Sequence, residues 1–363
     1  MTPCTWLIAL ALAAAPPPPA DPNGSAVPSP SQDAALKVAW EAPLPGTPLP
    51  WVTGAASRVV VSSREGRMAA WDPQGSPLWT ATLDSSITSA PVRLPDRIGV
   101  MGGDGFARLL DDATGNEVAR AGPFSPVSHL ADVGRGLAVA DPAGLVTVID
   151  PNSGARLWEA RTQESPSVAV SQCGGIVLAG TSQGSLLGFD AETGELLWRR
   201  ELGAAVTTPP GCWRRYAYLG SADNRLHAFK LSRKRANPMW SYMTGGDIVG
   251  RPFTFAGKVL FFSYDTYLYS LKTDNGHLAW KARLGRRPRE ESILMGRLLV
   301  VAPLNTERLE TFELPEGTQG ASLSLPTGQG RFVSSPAVAG NRIIIATAAY
   351  GDEGSRVLGL DLP

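Results

Sequence analysis

A unit of about 40 residues recurs along this chain, and a unit of that length cannot bury its own apolar face, so the copies must pack on one another. The sharpest copy, GTSQGSLLGFDAETGELLW, runs from Gly180 to Trp198. Close relatives of it end at Trp79 (SSREGRMAAWDPQGSPLW), Trp158 (ADPAGLVTVIDPNSGARLW) and Trp280 (SYDTYLYSLKTDNGHLAW). Trp40, Trp79, Trp158, Trp198, Trp240 and Trp280 keep one phase, with Ala119 standing where a further Trp would fall. A second marker keeps the same phase: Gly66, Gly105, Gly144, Gly184 and Asn224 stand six residues before Asp72, Asp111, Asp150, Asp190 and Lys230.

Each unit makes sense as a four-stranded meander. An apolar strand such as Val59–Val61 or Ile176–Leu178 enters a turn whose Gly or Asn accepts a positive φ. A second strand then reaches Asp-x-x-x-Gly, where the Asp side chain can hold the backbone ahead of it and the Gly takes the left-handed position. The Trp strand closes the unit. From Leu36 to Pro363 there is room for roughly eight units. The last, from Asn341 to Asp361, stops before its Trp strand, while Leu36–Trp40 is a Trp strand with no unit of its own. The expected fold is therefore all-β, an eight-bladed β-propeller of four-stranded antiparallel blades, closed by pairing of the amino-terminal strand into the last blade. The seventh unit, around Arg297–Ala302 and Glu310–Leu314, lacks both the Trp and the Asp turn and is the weakest copy.

Composition limits the function. Thirty-three Lys and Arg balance 33 Asp and Glu, with no basic half, which argues against nucleic acid as a partner. Leu7–Ala15 is too short to span a bilayer but suits the apolar core of a secretory signal, so residues 1–20 are expected to be removed on export, with Ala11-Leu12-Ala13 as a cleavage site. Cys4 precedes that apolar run, where a lipoprotein would need its Cys after it, so a lipid anchor is not expected. Residues 21–35, rich in Pro and Ser, read as a linker. A monomeric domain over 36–363, in the periplasm or elsewhere in the cell envelope, is the expectation.

The candidate chemistry is thin. Gly180-Thr181-Ser182-Gln183-Gly184 matches the G-x-S-x-G of hydrolases, but that elbow needs a helix after the Ser, and a strand-like segment comes next here. The recurring Asp residues are turn formers spread around a ring rather than a catalytic pair. His129, His227 and His277 show no metal-ligand spacing. Cys173 and Cys212 fall near equivalent turns of consecutive units. A disulfide and two free thiols both remain open, and a one-residue offset in the repeat alignment favours free thiols. Two basic runs, Arg233–Arg235 and Arg286–Arg289, interrupt the repeats at loops.

The G-x-L-x-x-x-D-x-x-x-G-x-x-x-W signature resembles that of the pyrroloquinoline-quinone-type, quinoprotein-like eight-bladed propellers, over nearly all of residues 36–363. Among these the compact exported members are similar to the BamB family. That resemblance implies a non-catalytic, protein-binding scaffold whose partner is the outer-membrane barrel insertase. It places the contact in the loop Gly245–Pro252, so Asp247 and Arg251, with Arg286 and Arg287 of the next connector, are the expected partner-binding residues. The second acid of the family pattern, two residues after Asp247, is Val249 here. A quinoprotein dehydrogenase and an envelope propeller with a sensing or structural role are the alternatives. The dehydrogenases carry a vicinal Cys pair and long insertions that this chain lacks, so no cofactor and no metal are expected.

Overall fold

The first six repeats fold as the meander their sequence specifies. The fourth is typical: Ser171–Cys173, Ile176–Gly180, Ser185–Asp190 and Leu196–Glu201 pair in sequence order, all antiparallel. The computed structural model describes residues 34–35, 37–44, 46–55, 57–325, 330–348 and 354–361. The expected amino-terminal signal and most of the expected linker lie outside them. Among the described residues there are eight sheets, and the first strands of neighbouring blades touch around the axis. The two middle strands of a blade are buried on both faces, which is why Ile176–Gly180 and Ser185–Asp190 read as continuous apolar runs. Eight apolar clusters fill the eight spaces between blades, including the one between blade 8 and blade 1.

Closure takes the expected route. Lys37–Leu44 pairs antiparallel with Ser355–Asp361, with Trp40 opposite Gly359, and supplies the outer strand of blade 8. In blade 7 the first three strands are regular, but the outer one is broken into Thr318–Gln319 and Leu323–Ser324. Ala34–Ala35 adds a parallel pairing to the second fragment, so the amino-terminal segment supports both of the last two blades.

The Trp residues lock blade to blade. The indole N–H of Trp79 donates to the Asp112 carbonyl of blade 2 at 3.0 Å, and that of Trp158 to Ala191 of blade 4 at 3.1 Å. Trp40, Trp198, Trp240 and Trp280 repeat the contact onto Pro73, Ser232, Thr273 and Pro315. The turn glycine beneath the ring is required for contact: a side chain at Gly115 or Gly194 would overlap the indole of the preceding blade. The Asp turns are built from main-chain donors, as where Asp150 Oδ1 accepts from Asn152 and Ser153 at 3.0 and 2.8 Å. Asp72, Asp111 and Asp190 do the same. Gly66, Gly105, Gly144 and Gly184 all have positive φ, from +84° to +91°. Asn224 and Thr266 take their place at +61° and +70° in blades 5 and 6.

The cysteines are joined, against the free-thiol reading. Cys173 and Cys212 form a disulfide between the first strands of blades 4 and 5, with Cα atoms 5.4 Å apart. The one-residue offset is what the geometry demands. Each sheet turns one face to the blade before it and the other to the blade after it, and successive side chains alternate between faces. Two cysteines in neighbouring blades can meet only if their repeat positions differ by an odd number.

Candidate functional site

Antiparallel meanders sort the loops onto two faces. The turns between second and third strands lie with the connectors between blades, while the Asp turns lie at the opposite end. On the connector face of blade 6, two of the four expected contact residues meet around Tyr264. The Asp247 carbonyl accepts from the Tyr264 backbone N–H at 2.9 Å, and the Arg287 guanidinium lies over the Tyr264 ring, 5.5 Å from its centroid. Asp265 fixes this corner: one carboxylate oxygen accepts from Gly245 N–H at 2.9 Å and from the Tyr269 hydroxyl at 2.6 Å. Burial, with Asp265 adding to it, pushes the Tyr269 phenol well above its usual range, so it stays a donor. Tyr264 is 37% exposed and Met243, at the end of the preceding blade, 57%. The outcome is a held patch around Tyr264 that Asp247 and Arg287 flank, both exposed; Arg286, next to Arg287 in the chain, is exposed as well.

Arg251 lies elsewhere. It sits in the first strand of blade 6, Ile248–Phe255, and lines the axial cavity at the opposite end. Burial pulls its guanidinium down while the charge of Glu291, in the first strand of blade 7, holds it up. Burial pushes the Glu291 carboxyl up in turn. Both residues are exposed, and it is the protein packed around the lumen that accounts for the direction of both shifts. His129 of blade 3 also lowers its pKa through burial, opposed by Glu290 of blade 7. These lumen charges carry no repeat signal, because the first strands diverge most between units.

Other constellations resolve into structure. Ser182 lies in a strand-to-strand turn of blade 4, not at a nucleophile elbow, and its hydroxyl contacts Gln183. Ser221, Asp223 and His227 converge, but the Ser and the carboxylate both approach His Nε2, each at 3.0 Å. A proton relay needs the two on different ring nitrogens. Of the basic runs, Arg233 is used in an ion pair with Asp190. Main-chain N–H of Thr193, helped by that guanidinium, holds the Asp190 carboxyl low, at about 2. Among the described residues no helix could cross a membrane, and no group of three or more His, Cys, Asp or Glu is placed to hold a metal ion.

Trp-locked blades, a ring closed by its own terminus and short connectors throughout define a compact quinoprotein-like eight-bladed propeller. More specifically, the chain belongs to the family described as outer membrane protein assembly factor BamB, whose sequence profile matches residues 33–127 and 142–304. It is similar to the protein of that name from Nitrosomonas eutropha, 32% identical over 108 residues, 30% of this chain and 26% of the relative. It is also similar to a quinoprotein ethanol dehydrogenase of Pseudomonas aeruginosa, 29% identical over 133 residues, 35% of this chain and 19% of the enzyme. The matches thus span about a quarter of the first relative's length and less of the second's. The crystal structure of BamB from Moraxella catarrhalis superposes with a TM-score of 0.70 at 18% identity, covering 90% of this chain and all of the other. The computationally designed Ika8 protein superposes as well, with a TM-score of 0.73 at 14% identity over 87% of this chain and 98% of its own. A fold that a designed chain shares says nothing of function, which must be argued from the site.

Proposed function

We propose that this chain is a non-catalytic scaffold exported to the cell envelope, where it serves outer-membrane protein assembly by holding the barrel insertase against the face around Tyr264. The observation that carries this reading is the meeting of the Asp247 main chain and the Arg287 guanidinium on one exposed aromatic residue, beside a corner that Asp265 pins through the Gly245 N–H and the Tyr269 hydroxyl. Its mechanism is rigid presentation: loops fixed by main-chain bonds lose little freedom on binding, and the mixed charges set the register of the partner. The Cys173–Cys212 disulfide supports an oxidising compartment. The quinoprotein relatives raise the enzymatic alternative, but the residues present do not fit that cofactor. Its chemistry takes a divalent cation on clustered ligands and a vicinal Cys pair, whereas these cysteines stand 39 residues apart in different blades.

Affinity purification of the tagged protein from envelope extracts tests the proposal. The insertase should co-purify with the wild type and fall at least tenfold, a loss of about 1.4 kcal/mol or more, with Asp247→Lys/Arg286→Glu/Arg287→Glu at unchanged melting temperature. Recovery of other envelope complexes without the insertase would defeat the reading.

A further inference from the structure

The connector face leaves the opposite end of the axis unexplained. There, between the first strands of blades 3 to 6, lies a cavity of about 570 Å³, within the size range of small-ligand sites. We propose that this cavity binds a short peptide by its C-terminal carboxylate, with Arg251 as the anchor. Arg251 lines the cavity and, among the described residues, makes no hydrogen bond or ion pair; Glu291 reaches it only through space. A guanidinium that lines a cavity wall and is exposed to it, with its donors unused, can take a carboxylate in bidentate fashion.

The remaining walls suit the last residues of a peptide chain. Ser171 lines the cavity, is 4% exposed, and its hydroxyl has no partner. Gln172 uses its amide N–H on the Gly174 carbonyl, leaving its side-chain oxygen to accept a peptide N–H. Asp132, across the cavity in blade 3, spends one oxygen on the Gly134 N–H at 2.7 Å and keeps the other for a ligand N–H or ammonium. Phe253 offers an apolar surface to the terminal side chain. Glu290 and Glu291 keep the lumen from attracting every anion, so charge alone does not admit a ligand.

This site is separate from the docking face, so the two proposals fail independently. Calorimetric titration of the whole protein with N-acetyl-Ala-Ala-Phe as the free acid should give saturable binding. Its C-terminal amide should bind at least tenfold more weakly, as should the acid to Arg251→Gln. Ser171→Ala should weaken the acid less, and both variants should melt within a few degrees of wild type. A partner's chain end has no free amine nearby and is mimicked by the acetylated probe. A free peptide is mimicked by unacetylated Ala-Ala-Phe, and tighter binding of that form would identify free peptides as the source. Equal binding of acid and amide, undiminished binding to a folded Arg251→Gln protein, no binding of any peptide, or equal binding of acetate would overturn the proposal.

Discussion

Ala119 shows how far single residues decide the packing of this ring. It occupies the Trp phase in blade 2, and the Asp-turn glycine of the next blade, Gly154, has moved in against it, with the place of its missing side chain 2.8 Å from the Arg120 carbonyl and 3.3 Å from the Ala119 methyl. Restoring the repeat residue by Ala119→Trp should therefore destabilise the protein by overpacking, by about 1–3 kcal/mol in denaturant unfolding. Removing a docked ring, as in Trp79→Ala, should cost about 3–5 kcal/mol. Glu310, 8% exposed in blade 7, accepts from Gly285 N–H at 2.8 Å through one oxygen, while the other has no partner. Burial pushes its pKa up. Over the range between its unfolded and folded pKa the native state holds more protons, so its contribution is fully present below the unfolded value and is lost as pH rises through the folded one. Glu310→Gln should thus raise the melting temperature at pH 7 to 8 and change it little near pH 4; an equal shift at both would contradict the assignment. The Trp and Asp positions were legible in the sequence because a repeat states each local rule several times. Glu310 and Tyr264 each occur once, at places where the units differ, and nothing local marks them; Arg251 was named only through the family resemblance, and for a different face.

At the scale of elements, the disulfide and the broken strand of blade 7 are where the repeat is a poor guide. A 39-residue separation against a 40-residue period reads as a misalignment until the two faces of a blade are distinguished. A crosslink closing a loop of that length stabilises by about 3–4 kcal/mol through the unfolded chain. Cys173→Ser/Cys212→Ser should lower the denaturant midpoint accordingly, and reductant should then have no further effect on the variant. A midpoint equal to wild type would mean that the bond does not form in the protein. In blade 7 the missing Trp and Asp turn did announce an irregular unit. What they could not announce is that Ala34–Ala35, from the other end of the chain, would pair with the remaining outer fragment, because a parallel two-residue contact leaves no pattern.

For the whole molecule, one shared sheet turns a linear array into a ring. Deleting residues 34–44 removes the outer strand of blade 8, the pairing to blade 7 and the Trp40 contact with Pro73. It exposes apolar surface between blades 7, 8 and 1, and the truncated protein should melt at least 10 °C lower or populate an intermediate; an unchanged single transition would deny the closure any role. The ring was readable from its complementary ends, whereas the proposed docking face was named only through a resemblance; of the residues so named, Asp247 and Arg287 come together at Tyr264, and Arg251 faces a different end. The most direct test of the scaffold is a photo-crosslinking residue placed at Tyr264 in the intact protein, activated in living cells, with the adducts identified by mass spectrometry. A dominant adduct with the barrel insertase, absent when the same residue replaces exposed Gln74 at the Asp-turn end, is the expected result. Equal adducts at both positions, or none with the insertase while the protein is folded and exported, would contradict it.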